Sequence, residues 1–278
     1  MNLSELTAFL ERIGRRPNRS LSQNFLIDEN VAWKIVRTAA VAPGDAVLEI
    51  GPGPGALTSI LLEAGAKVFA VEKDPVLAPE LNRFQTPDER LVAFEADFLK
   101  FDFSKLPAPL KVVANLPYHI TTPILEQLLE HRNLFSALIL MVQSELADRM
   151  AATAGSEDFS SLSLFLQFHT TLLSSFKVSA SCFFPKPKVD SKVVHLALRT
   201  PPLADSAPFF AVVRRAFQQR RKMIRVSLHS LYPADLVERA LFAADAKPDA
   251  RPEALSLDQW LTFYRCLSSM DIVNGRGG

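Results

Sequence analysis

The chain has 278 residues, 48% hydrophobic and 22% charged, a composition typical of a globular protein with a large core. Its 31 Lys and Arg side chains are balanced by 30 Asp and Glu side chains, and the net charge of +1 excludes a chain that is basic throughout. Two cysteines exclude a disulfide framework, and no metal site is expected because no His/Cys cluster is present. No apolar run reaches the ~20 residues of a membrane span, so we expect a cytoplasmic protein without a membrane segment.

Short β-branched runs alternate with helical patterns from about residue 45 onward. The strand runs are 46–50, 67–72, 91–96, 111–115 and 137–142. The helical patterns between them are 55–65, 75–84 and 122–131. This alternation predicts a mainly parallel sheet with helices on both faces. A further alternating run at 191–199 predicts a late, antiparallel edge strand.

Two consecutive prolines, Pro201 and Pro202, end the alternation of strands and helices. The chain beyond them contains only helical patterns, at 208–231, 233–244 and 256–270. We therefore predict two domains. The first is a Rossmann-like α/β domain over residues 1–200, including an N-terminal arm at 1–30, and the second is a small all-helical domain over residues 201–278.

A glycine-rich turn at 51–55 (GPGPG) follows the first strand run and opens a helix. Glycine lets the backbone turn sharply, and the helix N-terminus presents free N–H groups to a ligand. Glu72 ends the next strand run, where an acid accepts hydrogen bonds from ribose hydroxyls. The spacing departs from GxGxxG and two prolines remove N–H donors, which favours a ligand without a pyrophosphate, such as S-adenosylmethionine. Asp97 can accept from an adenine amine, or alternatively cap a helix.

The fourth strand run leads directly into Asn115-Leu116-Pro117-Tyr118, at the sheet edge where open α/β folds bind ligands. An adenine N6 is a poor nucleophile because its lone pair is delocalised into the ring. The Asn115 side-chain oxygen and the Leu116 carbonyl can accept its two hydrogens, while Pro117 fixes the turn. Tyr118 offers a face for an extruded base. This tetrapeptide predicts methyl transfer by positioning and desolvation, without a general base, so we interpret the adjacent His119 as structural.

From Gln23 to about Leu267, the chain closely resembles the KsgA family of ribosomal RNA adenine N6,N6-dimethyltransferases. The matching motifs include QNFL at 23–26 and FFPKPKVDS at 183–191, although Ser22 stands where the family usually has Gly. The resemblance implies a class I S-adenosylmethionine-dependent methyltransferase sheet, with S-adenosylhomocysteine as product. The donor contacts that it implies are Asn24, Leu26, Gly51, Glu72, Asp97 and Asn115.

The resemblance also implies an aromatic residue that sandwiches the target base against Tyr118. Phe184 is the better candidate because it directly precedes the first proline of the FFPKPKVDS segment, and the alternative is a core aromatic. The implied catalytic residues are Asn115, Leu116, Pro117, Tyr118 and Phe184.

Two basic clusters are expected to bind RNA phosphates, which makes affinity salt-dependent. The first, a twelve-residue window without an acid, resembles the family's AFxxRRKML segment. Its cations are Arg214, Arg215, Arg220, Arg221, Lys222 and Arg225. The second cluster precedes the QNFL motif and consists of Arg12, Arg15, Arg16 and Arg19. A solvated helix face is the alternative interpretation of either cluster.

The implied function is N6,N6-dimethylation of two adjacent adenosines in the 3′-terminal hairpin of 16S small-subunit rRNA, with a role in subunit biogenesis. The expected partner is the rRNA or the pre-30S subunit, and the chain is expected to act as a monomer. One alternative is a 23S rRNA adenine methyltransferase of the erythromycin-resistance type. Another is a non-catalytic assembly or transcription factor of the same fold. An NAD-dependent dehydrogenase is disfavoured because NLPY and a helix containing RRK have no role there.

Overall fold

The computed structural model describes residues 1–18, 23–203, 205–219 and 221–274. The chain divides into two compact units, each built from two segments. The first unit is Met1–Ala147 with Thr171–Leu198, and the second is Asp148–Thr170 with Arg199–Gly278. The segment 148–170, which the sequence assigned to the first domain, therefore belongs to the second unit. No helix in the described ranges is both long and apolar enough to cross a membrane.

Nine strands are formed by the described residues. In chain order they are β1 (Phe25–Leu26), β2 (Ala46–Ile50), β3 (Lys67–Glu72), β4 (Leu91–Glu95), β5 (Leu110–Asn115), β6 (Phe135–Gln143), β7 (Thr170–Val178), β8 (Phe183–Phe184) and β9 (Ser191–Leu198). Seven of them form one sheet in the order β4-β3-β2-β5-β6-β9-β7. The neighbours from β4 to β6 are parallel, and β9 is antiparallel to β6. The predicted α/β class is thereby confirmed.

Eleven α-helices lie in the described ranges. They are α1 (Leu3–Arg12), α2 (Glu29–Thr38), α3 (Ala56–Glu63), α4 (Leu77–Glu80), α5 (Thr121–Glu130), α6 (Ser144–Ala151), α7 (Ser161–His169), α8 (Ala207–Phe217), α9 (Ile224–Ser227), α10 (Ala234–Ala243) and α11 (Leu257–Asn274). The predicted helix at 75–84 is wrong in extent, because α4 is one turn long and continues as a 3₁₀ helix at Leu81–Phe84. The predicted helix at 208–231 is also wrong, because α8 ends at Phe217 and α9 begins at Ile224.

The late strand β9 is antiparallel, as predicted, but it is not an edge strand. It lies between β6 and β7, and β7 was not predicted. Most β7 side chains are at least partly exposed, so the run TTLLSSFKV lacks the alternation that marks a half-buried strand.

The N-terminal arm begins with α1, whose N-terminus is capped by a capping box between Asn2 and Glu5. Leu6 and Phe9 of this helix are buried in a small apolar cluster with Phe25 of β1. β1 pairs with β8, which places Phe25 opposite Phe184 and Leu26 opposite Phe183. The arm and the FFPKPKVDS segment are thus joined by a two-stranded sheet.

The second unit has its own aromatic core. Phe168 of α7 stacks on Phe209 of α8 with ring centroids 5.6 Å apart, and Trp260 of α11 is fully buried. The Trp260 indole donates to the Pro252 carbonyl at 3.2 Å, which satisfies its one polar atom. Phe159 and Phe168 enter this core, and their burial explains why the segment 148–170 belongs to this unit.

Strand order reverses at β2, because the chain goes from β2 through β3 to β4 and then returns to the other side of β2 as β5. Ligands of open α/β sheets bind at the carboxyl ends of the strands beside such a reversal. The predicted residues Gly51, Glu72, Asp97 and Asn115 lie at or just after the carboxyl ends of β2, β3, β4 and β5.

Candidate active site

The glycine-rich turn between β2 and α3 is built on positive φ angles. Gly51 has φ +63° and donates its N–H to the Val71 carbonyl at 2.9 Å. Gly53 has φ +56°, and a Cβ atom there would lie 3.1 Å from the Phe25 ring. Gly53 also donates its N–H to Glu72 Oε2 at 2.8 Å, so this hydrogen bond joins the turn to the acid that ends β3. Glycine is needed here for both conformation and close approach.

Glu72 is 6% exposed, and burial raises the pKa of its carboxyl. Its second oxygen, Oε1, accepts the Asp74 N–H at 2.8 Å. Each oxygen therefore has one backbone donor and keeps acceptor capacity for a ligand hydroxyl.

A second buried acid, Glu49, lies beneath the turn at 1% exposure. Burial raises the pKa of this carboxyl to about 8, and the nearby Glu72 charge acts in the same direction. The Thr58 hydroxyl donates to Glu49 Oε2 at 2.7 Å. At neutral pH Glu49 is therefore mostly protonated, a feature that no local sequence pattern indicates.

Asp97 follows β4 and caps a 3₁₀ turn, accepting the Leu99 N–H at 3.1 Å. Its other oxygen accepts from Lys73 Nζ at 2.8 Å, and this hydrogen bond lowers the pKa of Asp97. Lys73 was not singled out in the sequence, although its position directly after Glu72 was a usable signal. The Lys73–Asp97 ion pair is partly exposed, so a ligand amine can compete for the carboxylate at small cost.

The tetrapeptide at 115–118 is held by specific hydrogen bonds. Asn115 Nδ2 donates to the Asn24 backbone carbonyl at 3.2 Å. Because a carbonyl can only accept, this bond fixes the orientation of the amide and leaves Oδ1 as an acceptor. Leu116 is buried and donates its N–H to the Met141 carbonyl, and the Thr121 hydroxyl donates to the Pro117 carbonyl.

One cavity gathers most of the predicted site. Among its lining residues are all four members of the tetrapeptide, together with Asn24, Gly51, Glu72 and Asp97. Its wall also has apolar members, such as Ile50 and Phe98, and it includes His119, which is exposed. The structural role of His119 stays a prediction.

Leu26 and Phe184 are not among the described residues that line this cavity. The Leu26 side chain is 3% exposed and packs in the apolar core that α2 and α3 form with the large sheet, while its neighbour Phe25 lines the cavity. Phe184 is half-buried against the arm cluster, whereas Phe183 is 2% exposed in the core. Of the two phenylalanines, Phe184 is the more accessible one.

The basic window lies at the end of α8, in the turn that follows and on α9. Arg214, Arg221 and Lys222 are exposed and form no ion pair or side-chain hydrogen bond with another described residue. Arg215 bonds to Ser230 at 3.0 Å, and Arg225 lies 3.7 Å from Glu238. Arg220 lies outside the described residues, as do Arg19 and Ser22. In the second cluster Arg12 pairs with Glu80, and Arg15 and Arg16 are exposed.

Residues 14–269 match the family model described as ribosomal RNA adenine dimethylase. The chain belongs to this family. The chain is similar to the ribosomal RNA small subunit methyltransferase A of Protochlamydia amoebophila, with 50% identity over 276 residues. This match covers 96% of the chain and 97% of that protein. The protein of the same name from Chlamydia muridarum is 43% identical over 270 residues, covering 96% and 98%.

Two solved structures support the same assignment for this dimethylase. A dimethyladenosine transferase from Plasmodium falciparum matches with a TM-score of 0.78 at 25% identity, over 89% of this chain and 98% of that one. The 23S rRNA methyltransferase ErmE matches with a TM-score of 0.70 at 30% identity, over 88% and 100%. The predicted family resemblance, methyltransferase fold and enzyme class are confirmed.

Proposed function

We propose that this dimethylase transfers methyl groups from S-adenosylmethionine to N6 of two adjacent adenosines in the 3′-terminal hairpin of 16S small-subunit rRNA, two to each base. The observation that carries the proposal is the Asn115–Asn24 hydrogen bond, which leaves Asn115 Oδ1 as an acceptor in the cavity wall. The small-subunit rRNA is favoured because the curated relatives carry the small-subunit name at up to 50% identity. ErmE, whose name refers to 23S rRNA, is 30% identical.

The wall of the cavity fits S-adenosylmethionine by its chemistry. The Glu72 and Asp97 carboxylates can accept from ribose hydroxyls and an adenine amine, and Ile50 and Phe98 offer apolar contact to a purine. When bound, this group supplies an electrophilic methyl. The residues that we propose to hold it are Asn24, Leu26, Gly51, Glu72, Asp97 and Asn115. Leu26 acts through its backbone, because its pairing with Phe183 fixes the segment that carries Asn24.

In the proposed mechanism the protein positions and desolvates the target amine. In the first transfer Asn115 Oδ1 and the Leu116 carbonyl accept the two N6 hydrogens and stabilise the positive charge that grows on nitrogen. In the second transfer one hydrogen remains on N6, and one of these two oxygens accepts it. Pro117 holds the turn, and the Tyr118 ring stacks on the extruded base. An N6 proton becomes acidic once the methyl has moved and leaves to water, so no enzymic base is needed.

RNA contacts complete the proposal. Phe184 is proposed to contact the face of the target base opposite Tyr118. The cations of the basic window, with Arg214, Arg221 and Lys222 the most available, are proposed to bind phosphates of the pre-30S particle. The chain is proposed to act as a monomer, and a ribosomal substrate keeps the cytoplasm as the proposed site of action.

The test is to incubate the protein with labelled S-adenosylmethionine and undermethylated small subunits, and then to map the modified nucleotides. We expect N6,N6-dimethyladenosine at two adjacent positions near the 3′ end of the 16S rRNA. Large-subunit RNA offered separately is the matched comparison. Label on 23S rRNA alone would establish the erythromycin-resistance type instead, and donor binding without transfer to either RNA would favour a non-catalytic factor.

A further inference from the structure

Tyr118 is held at both ends. Its backbone enters a 3₁₀ turn at Tyr118–Ile120, in which the Ile120 N–H donates to the Pro117 carbonyl at 3.2 Å. At the far end, its hydroxyl shares a hydrogen bond of 2.7 Å with Ser191 Oγ. Tyr118 is half-buried, whereas Ser191 is fully buried at 0% exposure. The phenol oxygen therefore bonds to a fixed interior group rather than to a mobile surface side chain.

Ser191 is itself fixed by the sheet. It is the first residue of β9, and it pairs with Gln143 at the end of β6. The preceding residue, Asp190, accepts the Ala180 N–H at 2.9 Å and pairs with Lys177 at 2.7 Å through its side chain. The Asp190 backbone carbonyl accepts the Ser144 N–H at 3.0 Å. The end of the FFPKPKVDS segment is thus a rigid anchor.

We propose that Ser191 is a positioning residue for the methyl transfer, whose hydroxyl fixes the direction of the Tyr118 ring so that its face stays available to the extruded adenine. This inference rests on the proposed function. Without the bond, the ring is free to leave its rotamer, and fewer bound bases are held in the reactive position. Burial raises the pKa of Tyr118, so the phenol keeps the proton that it shares with Ser191.

The experiment is a double-mutant cycle with Ser191→Ala and Tyr118→Phe on undermethylated small subunits. Each variant removes one of the two hydroxyls, and Tyr118→Phe keeps the aromatic face. We expect each single variant to lower kcat about tenfold, as the loss of one hydrogen bond between a half-buried and a fully buried group would. The double variant should be no slower than either single one, because the same bond is lost in all three. The dissociation constant for S-adenosylmethionine should stay within about twofold.

Ser136→Ala is the control for loss of a serine hydroxyl from the same sheet, because Ser136 lies on β6, is exposed, and donates to the Leu110 carbonyl at 3.2 Å. It should leave kcat unchanged. Normal kcat in Tyr118→Phe, or single effects that multiply in the double variant, would overturn the inference. If Ser191→Ala fails to fold, kcat of Tyr118→Phe alone decides. Wild-type protein that transfers no methyl to adenine N6 would overturn the proposed function, and that result does not depend on any variant.

Discussion

Asn115 uses its two amide atoms differently: Nδ2 donates to the Asn24 carbonyl, and Oδ1 remains to accept from the target amine. Asn115→Ala should therefore lower kcat by at least about 100-fold, the usual cost of losing a preorganised hydrogen bond to a developing charge. Affinity for S-adenosylmethionine should change much less, because Glu72 and Asp97 are untouched. Single-turnover methylation and donor titration measure the two effects separately. Turnover near the wild-type rate would refute the role of Asn115.

Glu49 makes stability depend on pH. Its pKa of about 8 in the folded chain lies above the ordinary value of 4.5, so the folded chain retains a proton that the unfolded chain loses. The resulting stabilisation is complete below pH ~4.5 and disappears as the pH rises towards ~8. Glu49→Gln keeps a neutral hydrogen-bonding group of similar shape. The Tm of Glu49→Gln minus the Tm of the wild type should therefore increase as the pH rises from 5 to 8.

The control for this pH series is Glu63→Gln, because Glu63 is exposed at the end of α3. Its Tm should follow that of the wild type at every pH. A constant difference between the Glu49→Gln and wild-type melting temperatures across the series would show that Glu49 is ionised in the folded protein.

The packing of the turn from β2 to α3 can be tested with a Gly→Ala substitution, which adds one methyl group. Gly55 has φ +80°, and a Cβ atom there would overlap the Phe84 ring, whereas Gly44 has φ +88° with open space around it. Gly44→Ala should lower the free energy of unfolding by about 1–2 kcal/mol, because alanine is strained in the left-handed backbone conformation. Gly55→Ala should lower it by about 1–3 kcal/mol more, because the Phe84 ring must also move. Thermal unfolding of both variants measures the difference, and equal Tm values would contradict it.

The elements that could be predicted are those with strong local patterns. The strands β2, β3, β5 and β6 are mostly apolar because they lie in the buried middle of the sheet. The edge strand β7 was missed because most of its side chains meet water. The segment 148–170 was assigned to the wrong unit because its helices show which residues are apolar but not which core receives them.

In the candidate site, too, local sequence patterns could be predicted and tertiary contacts could not. Glu72, Asp97 and Asn115 could be grouped in advance because the carboxyl ends of parallel strands meet at one edge. The bond between Tyr118 and Ser191 joins residues 73 apart in the chain, and no local pattern contains it. The burial of Glu49 was missed for a related reason, since it depends on the turn and on α3 packing above it.

Because the protein is nearly neutral overall, it must concentrate its cations on a local surface to bind RNA. Arg221 and Lys222 are exposed and unpaired among the described residues, so replacing both with Gln should weaken RNA binding. The log–log salt dependence should flatten by roughly one unit for each phosphate that is no longer neutralised. Arg239→Gln is the control, because Arg239 is already paired with Asp235 at 2.9 Å. An unchanged slope in the double variant would remove these residues from the interface.

The second unit is assembled from two stretches of chain separated by β7 to β9. During synthesis, Phe159 and Phe168 therefore leave the ribosome well before Phe209 and Trp260, the aromatic partners of their core. Until those partners emerge, the earlier stretch has unburied apolar surface that favours aggregation. For the same reason, a fragment that stops at residue 198 is not a trimmed catalytic module, because it retains the first stretch of a core whose other buried residues lie beyond residue 198.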